Sequence, residues 1–260
     1  MAKASVLVTV RNEEQTLPAL LQSLVGQRHL HQVVVVDGGS TDRTVEAAKA
    51  FAGRLPLTVL SQPCTRGEGR NIAASHATGD LLAFIDGDCI ADSQWLDRLV
   101  AAWDGRPDRI VAGWTRLIGP SKFTRLHRVE LQHKGQDTTW PSCNLGYPKA
   151  LFDRLGGFDP AFVTAEDIDI NYRAVNAGAS IVNAPEAVVN ARARHTVGGF
   201  LRQGYWNGYG RKQLTRKHGR LWGQYSLREM LRRQGGSFWG AVRMGAGFLG
   251  YMSAKLRPPR

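Results

Sequence analysis

Acidic residues nearly vanish from the end of this 260-residue chain: from Arg192 to Arg260, one acid, Glu229, stands against 15 Lys and Arg. That stretch carries +14 and residues 1–191 carry −2, so the overall +12 lies wholly in the tail. The near-neutral body is therefore no polyanion-binding surface, whereas the basic, aromatic-rich tail suits nucleic acid, an anionic membrane face or an anionic substrate. Cysteine is scarce as well. Cys64, Cys89 and Cys143 are odd in number, far apart and without a Cys-x-x-Cys pair, which excludes a disulfide framework and a zinc knuckle and fits a reducing cytosol. No apolar run approaches the roughly 20 residues that span a bilayer. Met1-Ala2-Lys3-Ala4 leads straight into strand-like Ser5 to Val10, leaving no room for a signal peptide, so a cytoplasmic location is expected. A Gly-x-x-x-x-Gly-Lys-Ser/Thr phosphate loop is also missing.

What is present reads as an α/β protein with 43% apolar residues, enough for a substantial core. Ser5 to Val10 is a strand, and Leu17, Leu20, Leu21 and Leu24 follow at helical spacing before Gly26. Val33 to Val36 is a second strand running into Asp37-Gly38-Gly39-Ser40-Thr41-Asp42, where Thr41 or Asp42 caps a helix carrying Val45, Ala48 and Phe51. Leu57 to Leu60 is a third strand, and Gly67-Glu68-Gly69-Arg70-Asn71 opens an Ala-rich helix ending before Gly79. Such alternation predicts a mainly parallel sheet covered by helices on both faces.

The fourth strand, Leu81 to Ile85, ends in Asp86-Gly87-Asp88. In an open α/β sheet ligands bind beyond the carboxyl ends of the strands, so two carboxylates stand where a ligand would sit. Hard oxygen ligands suit Mg²⁺ or Mn²⁺, which are usually completed by substrate phosphates. Asp and Gly also favour turns for their own sake, so alone the tripeptide has two readings. Nearby, Asp37 is placed to accept hydrogen bonds from a base or ribose, and Arg66 and Arg70 to face phosphate or base oxygens. Gly67 and Gly69 permit close backbone approach but lack the third glycine of a dinucleotide fingerprint.

These residues, together with Asn144-Leu145-Gly146-Tyr147, Gly156-Gly157-Phe158-Asp159 and Ala165-Glu166-Asp167-Ile168-Asp169, resemble glycosyltransferase family 2 from about Ser5 to Arg211. The resemblance implies the inverting GT-A fold, with a nucleotide-binding half and an acceptor-binding half on one continuous sheet, and Mn²⁺ or Mg²⁺ on a nucleoside diphosphate sugar. Carried over by position, Asp37 meets the nucleobase, Asp86 the ribose and metal region, and Asp88 the cation itself. Thr9, Arg11, Glu13, Arg66, Arg70, Gly87 and Arg211 complete the donor-binding set, with UDP favoured over GDP. Where family members commonly have two acids before the glycine, this chain has Asp37-Gly38-Gly39. It also lacks a clear Gln-x-x-Arg-Trp sequence, so a single transfer is expected rather than polymerisation.

Inverting transfer needs a carboxylate to take the acceptor hydroxyl proton. The resemblance assigns that role to Asp167, with Glu166 positioning the acceptor or supporting the base. Acids in a first helical turn are also favoured by the macrodipole alone. Asp169 and Arg173, four apart, read as a surface pair. His195 is a candidate third metal ligand, and otherwise a solvated side chain. Ser93 is read as the cap of a helix over Trp95 to Trp103, and Ile110 to Ile118 as a strand. Lys122 to Lys134 is read as helical, its His127 and His133 as surface histidines, and Phe158 as a packing plug.

Residues 1–197 are thus expected to form the GT-A domain and residues 198–260 a basic, aromatic-rich helical extension. Phe238 to Met252 is too short and interrupted to span a bilayer, but suits the interface of an anionic membrane. That reading puts the protein at the inner face of the plasma membrane with a lipid-linked acceptor; a helix packed on the domain or forming a homodimer is the alternative. No nucleic acid partner is expected. Two other classes fit less well. A sugar nucleotidyltransferase would carry a glycine-rich, lysine-bearing loop near its start, unlike Arg11-Asn12-Glu13-Glu14, and a non-catalytic polyanion-binding protein would leave the strand-end carboxylates unexplained.

Overall fold

The computed structural model describes residues 2–119, 129–192, 196–219, 221 and 238–256. The first half alternates as the apolar spacing predicts: β1 (Ala4–Val10), α1 (Leu17–Leu24), β2 (Leu30–Asp37), α2 (Thr44–Lys49), β3 (Leu57–Ser61), α3 (Arg66–Ser75) and β4 (Leu81–Asp86). A short β5 (Cys89–Ala91), α4 (Trp95–Trp103), the long β6 (Arg109–Ile118) and a hairpin of β7 (Gln132–His133) and β8 (Gln136–Asp137) follow. Then come β9 (Asn144–Pro148), α5 (Lys149–Arg154), α6 (Glu166–Asn176), β10 (Ser180–Arg192), α7 (Val197–His218) and α8 (Phe238–Leu256).

Eight strands form one sheet in the order β3-β2-β1-β4-β9-β6-β10-β5. The first four are parallel, β9 runs antiparallel between β4 and β6, β10 is parallel to β6, and β5 is antiparallel at the edge. Strand alternation sorts the core into two layers. Val6, Val8, Val33, Val35, Ala83 and Ile85 join Leu17, Leu20, Leu21 and Trp95 on one face, under α1 and α4. Leu7, Val34, Val36, Leu82 and Phe84 join Tyr147, Phe152, Phe158 and Ile170 on the other. A run such as Val33 to Val36 is apolar throughout because both of its faces are covered.

Local chemistry sets the element ends. Thr65 and Glu68 cap α3 reciprocally: the Thr65 hydroxyl accepts from Glu68 N–H at 3.4 Å and the Glu68 carboxylate accepts from Thr65 N–H at 2.8 Å. Neither Thr41 nor Asp42 holds the N-cap of α2; Arg43 does, and Asp42 just before it accepts from Thr44 N–H at 3.1 Å. Ser93 does not cap α4; Gln94 holds the N-cap position, and Asp92 accepts from its N–H at 3.2 Å. Residues 120–128, including His127, lie outside the described residues, and where the predicted helix over Lys122 to Lys134 is described it is instead the β7–β8 hairpin. The reason is local: Lys134 and Gly135 both take positive φ, 47° and 78°, which closes a two-residue turn between strands. His133 is not a solvated surface ring either, since it stacks on Tyr172 at 4.1 Å and meets Asn176 Oδ1 at 2.8 Å.

Helices α7 and α8 run side by side in the same direction. Phe200 meets Trp239, Gly204 meets Arg243 and Ala246, Gly208 meets Gly247, Lys212 lies over Tyr251 and Arg216 donates to the Lys255 carbonyl. Phe200–Trp239, Gly204–Arg243, Gly208–Gly247, Lys212–Tyr251 and Arg216–Lys255 step by four residues on both helices. A Cβ on Gly208 or Gly250 would overlap backbone of the facing helix, so glycine is what lets the two axes approach.

Candidate active site

Sheet order alone brings the strand-end acids together, because Val10 of β1 pairs with Asp37 of β2 and Thr9 pairs with Asp86 of β4. The loops beyond are stitched to each other. Asn12, at φ 56°, accepts from Thr41 N–H at 2.8 Å, its own N–H donates to Ser40 Oγ at 2.8 Å, and Glu13 N–H donates to Thr44 Oγ1 at 2.8 Å. Glu13 also takes the Thr16 hydroxyl. Asp37 is buried and accepts from Ser61 Oγ at 2.8 Å and from the Ser40 hydroxyl and N–H. Burial works against its charge, but the Ser40 and Ser61 hydrogen bonds prevail and hold the carboxyl below its ordinary value. A nucleobase reaching Asp37 would have to take over one of those bonds.

The centre of the site is Arg70. Only 4% exposed, its guanidinium donates to Asp86 Oδ1 at 2.8 Å and to Glu166 Oε1 at 2.6 Å, and it lies over the Phe158 ring at 5.6 Å. One side chain thus joins the end of β4 to the start of α6, Glu166 lying 96 residues beyond Arg70 itself. Burial opposes the cationic form of Arg70, yet Asp86, Glu166 and Asp167 together raise its pKa. The expectation that Arg70 faces donor oxygens does not match this placement: both of its forks are committed to carboxylates inside the protein. Arg11 and Arg66 are exposed.

Asp167 follows Glu166 in the first turn of α6. It accepts from Ser142 N–H at 3.3 Å and from Ile168 N–H at 2.9 Å. Burial first, then the neighbouring Glu166 charge, push its pKa up to about 6, against the opposing pull of Arg70. The loop that supplies Ser142 is held in turn by Asn171, which donates to the Thr138 and Trp140 carbonyls at 3.1 and 2.9 Å and accepts from Tyr147 Oη at 2.6 Å. Cys143 and Cys89 lie near these acids, but burial raises both thiols, that of Cys143 to about 12, so neither offers a thiolate at neutral pH.

Asp88 is half-buried on the turn after β4, and a Cβ on Gly87 would come within 2.5 Å of Val10 Cγ1, so that turn is fixed against β1. Among the described residues, no group of three or more His, Cys, Asp and Glu is disposed to hold a metal. His195 lies outside the described residues. The donor chemistry still fits a hard divalent cation, with Asp86 and Asp88 offering carboxylate oxygens and substrate phosphates and water supplying the rest.

Three features escaped the sequence reading. Asp169 and Arg173 do pair, at 2.8 Å, but not on the surface: Asp169 is fully buried and also meets Lys217 Nζ at 2.8 Å and His218 Nε2 at 2.7 Å. Its partners come from α7, so a local i,i+4 pattern carries no sign of the burial. Gly210 of α7 sits against Ala165, where a Cβ would come within 2.7 Å of the Ala165 Cβ, placing Arg211 beside the loop that leads into Glu166. Trp114 is 50% exposed. Its carbonyl accepts from Asn144 Nδ2 at 3.2 Å, which ties β6 to the start of β9. Phe158 is the plug expected of it, fully buried with Phe84 and Phe152 each at 5.4 Å.

Residues 5–156 match the family described as Glycosyl transferase family 2. The chain is 27% identical over 223 residues to the glycosyltransferase AglE of Haloferax volcanii, covering 81% of this chain and 73% of that protein. Other curated relatives are longer, the chain spanning 42% of two of them. Among solved structures, the mannosyltransferase PcManGT of Pyrobaculum calidifontis, in complex with GDP-Man and Mn²⁺, superposes with TM-score 0.68 at 18% identity, over 100% of this chain and 76% of that one. S. aureus TarS 1–349 in complex with UDP superposes with TM-score 0.61 at 22% identity, over 88% and 77%. The fold is the GT-A arrangement expected, with a helical C-terminal extension.

Proposed function

The chain belongs to glycosyl transferase family 2, and from that premise we propose that it moves a sugar, with inversion, from a nucleoside diphosphate sugar to an acceptor hydroxyl. The observation that supports the reading is the Asp86–Arg70–Glu166 bridge, which ties the acid at the end of β4 to the acid beside Asp167 at the start of α6. Thr9, Arg11, Glu13, Asp37, Arg66, Gly87 and Arg211 surround the donor, for which uridine is the favoured base. Asp86 and Asp88 would hold Mn²⁺ or Mg²⁺, whose chemistry there would be to offset charge growing on the leaving diphosphate.

Asp167 is the base. As the acceptor oxygen attacks the anomeric carbon from the face opposite the diphosphate, its proton passes to the Asp167 carboxylate. The bond from the anomeric carbon to the diphosphate oxygen breaks with its electron pair leaving on the nucleotide, and no covalent sugar–enzyme species forms. A carboxyl poised at about 6 is deprotonated at neutral pH and still basic enough to draw the proton in the transition state. The Ser142 N–H fixes its orientation, and Glu166, itself fixed by Arg70, positions it. On the acceptor side Trp114 offers an exposed aromatic face, and the apolar, basic tail favours a lipid-linked alcohol in polysaccharide or glycolipid synthesis.

The test is a panel of nucleotide sugars with Mn²⁺, scored by diphosphate release with and without EDTA. Metal-dependent turnover of one donor is expected. It should fall by about 10²–10⁴ in Asp167→Asn, the usual worth of a positioned base, and collapse in Asp88→Ala. Unimpaired turnover in either variant removes that residue's role, and no turnover with any donor sugar overturns the reading.

A further inference from the structure

Helix α8 shows two unlike faces. Gly240, Gly247, Gly250 and Ala254, on the side turned to α7, are buried or in backbone contact with it. At 100° per residue the opposite side carries Phe238, Ala241, Val242, Gly245, Leu249, Met252 and Leu256, with Phe248 at its edge. Every one of these is apolar. Phe238 is 74% exposed, Phe248 and Leu249 64% each, and Leu256 81%. Single exposed apolar residues are ordinary, but a stripe along some five turns is not. The helix is about 28 Å long, and no described helix is long and apolar enough to cross a membrane.

Charge narrows what could cover this stripe. Helix α8 has no acid; its charged residues are Arg243 and Lys255. Because α7 and α8 are parallel, their last turns lie at the same end, with the exposed Arg216 beside Lys255, while Lys217 and His218 are held by Asp169. A second copy would set two +14 tails against each other. Nucleic acid would need its cations on the presented face, where there are none. Arg243 is turned to α7, so the cations beside the stripe are Lys255 and the neighbouring Arg216, and an apolar stripe ending in such cations matches a surface that is oily inside and negatively charged at its rim.

We propose that the outer face of α8 docks in the plane of an anionic phospholipid membrane, seating Phe248, Leu249 and Leu256 among the acyl chains at the interface. The inference rests on this helix and not on the transfer reaction, so each can fail alone.

Flotation of the full-length protein with phosphatidylcholine vesicles, with and without phosphatidylglycerol, tests it. Expected is binding at low salt only when phosphatidylglycerol is present, weakened tenfold or more by high salt, and a similar loss in Leu249→Asp or Phe248→Asp. Both positions are exposed, so thermal melting should not change, and whichever variant melts like the parent is decisive. Absence of flotation at low salt, or flotation indifferent to these substitutions, overturns the proposal. So does a dimer in sedimentation velocity that Leu249→Asp dissociates, because the stripe would then belong to a second copy.

Discussion

Replacing Arg70 by Met keeps most of the side-chain volume and removes the charge, leaving Glu166 and Asp86 without their partner. The two are not equal. The Glu166 side chain is 5% exposed and Asp86 35%, so water can compensate Asp86 but not Glu166. Breaking a buried pair by removing one member costs about 3–5 kcal/mol, and with one of two carboxylates screened the lower end applies, about 3 kcal/mol. For a chain of this size that corresponds to a fall of roughly 6–12 °C in melting temperature. A second effect follows from the same contact. Arg70 pulls the Asp167 pKa down, so its loss should carry the acid limb of activity above about 6. Glu166 pushes the other way, so Arg70→Met with Glu166→Gln should recover part of the stability and return the acid limb toward lower pH. Thermal melts of the four proteins of this cycle, with pH–rate profiles on a competent donor, give both readouts. A loss of stability below about 1 kcal/mol, or an acid limb that stays in place, would refute the assignment of Arg70 as the charged tie between the two halves.

Asp167→Asn tests linkage independently of turnover. A carboxyl raised from 3.8 to about 6 binds its proton more readily folded than unfolded, so its contribution is most favourable below pH 4 and is lost as pH rises to about 6. Above pH 6 the Asn variant should therefore be the more stable by ~1–3 kcal/mol, and urea melts showing a less stable variant at pH 8 would contradict this. Asp169→Asn leaves Arg173, Lys217 and His218 facing a neutral amide in a buried site and should cost about 3 kcal/mol, with a melt unchanged within error counting against it. Gly208→Ala drives a methyl into the Gly247 backbone and should cost about 1–3 kcal/mol, loosening α8 first, so trypsin should cut at Arg243 or Lys255 faster while the body stays resistant. Equal cleavage rates would sink that account.

The first half of the fold was legible because each of its strands is short, apolar and followed at once by a helical repeat: Leu17, Leu20, Leu21 and Leu24 are all buried where their spacing put them. Two of the acids singled out in the sequence, Asp86 and Glu166, do come to one side chain, Arg70, with Asp167 next in the chain. What resisted reading was long-range. Arg70 belongs to a helix whose sequence says only that an arginine lies near a rim; that it turns inward depends on Glu166 arriving 96 residues later. Asp169 likewise looked exposed until Lys217 and His218 closed over it. The β7–β8 hairpin was missed for a different reason, because Lys-Gly is a weaker turn signal than Asn-Gly and the charged flanks imitate a solvated helix.

Strand β9 enters the sheet against the direction of its neighbours, and that reversal has a use in handling the protein. Its leading loop comes in over the same edge from which β1, β2 and β4 emit their acids, so all the chemistry crowds on one lip and the opposite lip is left plain. Asp104 and Gly105, both in left-handed turns just before β6 begins, sit on that plain side. A fluorophore or short affinity peptide grafted at the exposed Arg106 beside them, rather than at Gly105 whose backbone favours glycine, should therefore ride along silently, giving a reporter of where the molecule goes without altering what it does.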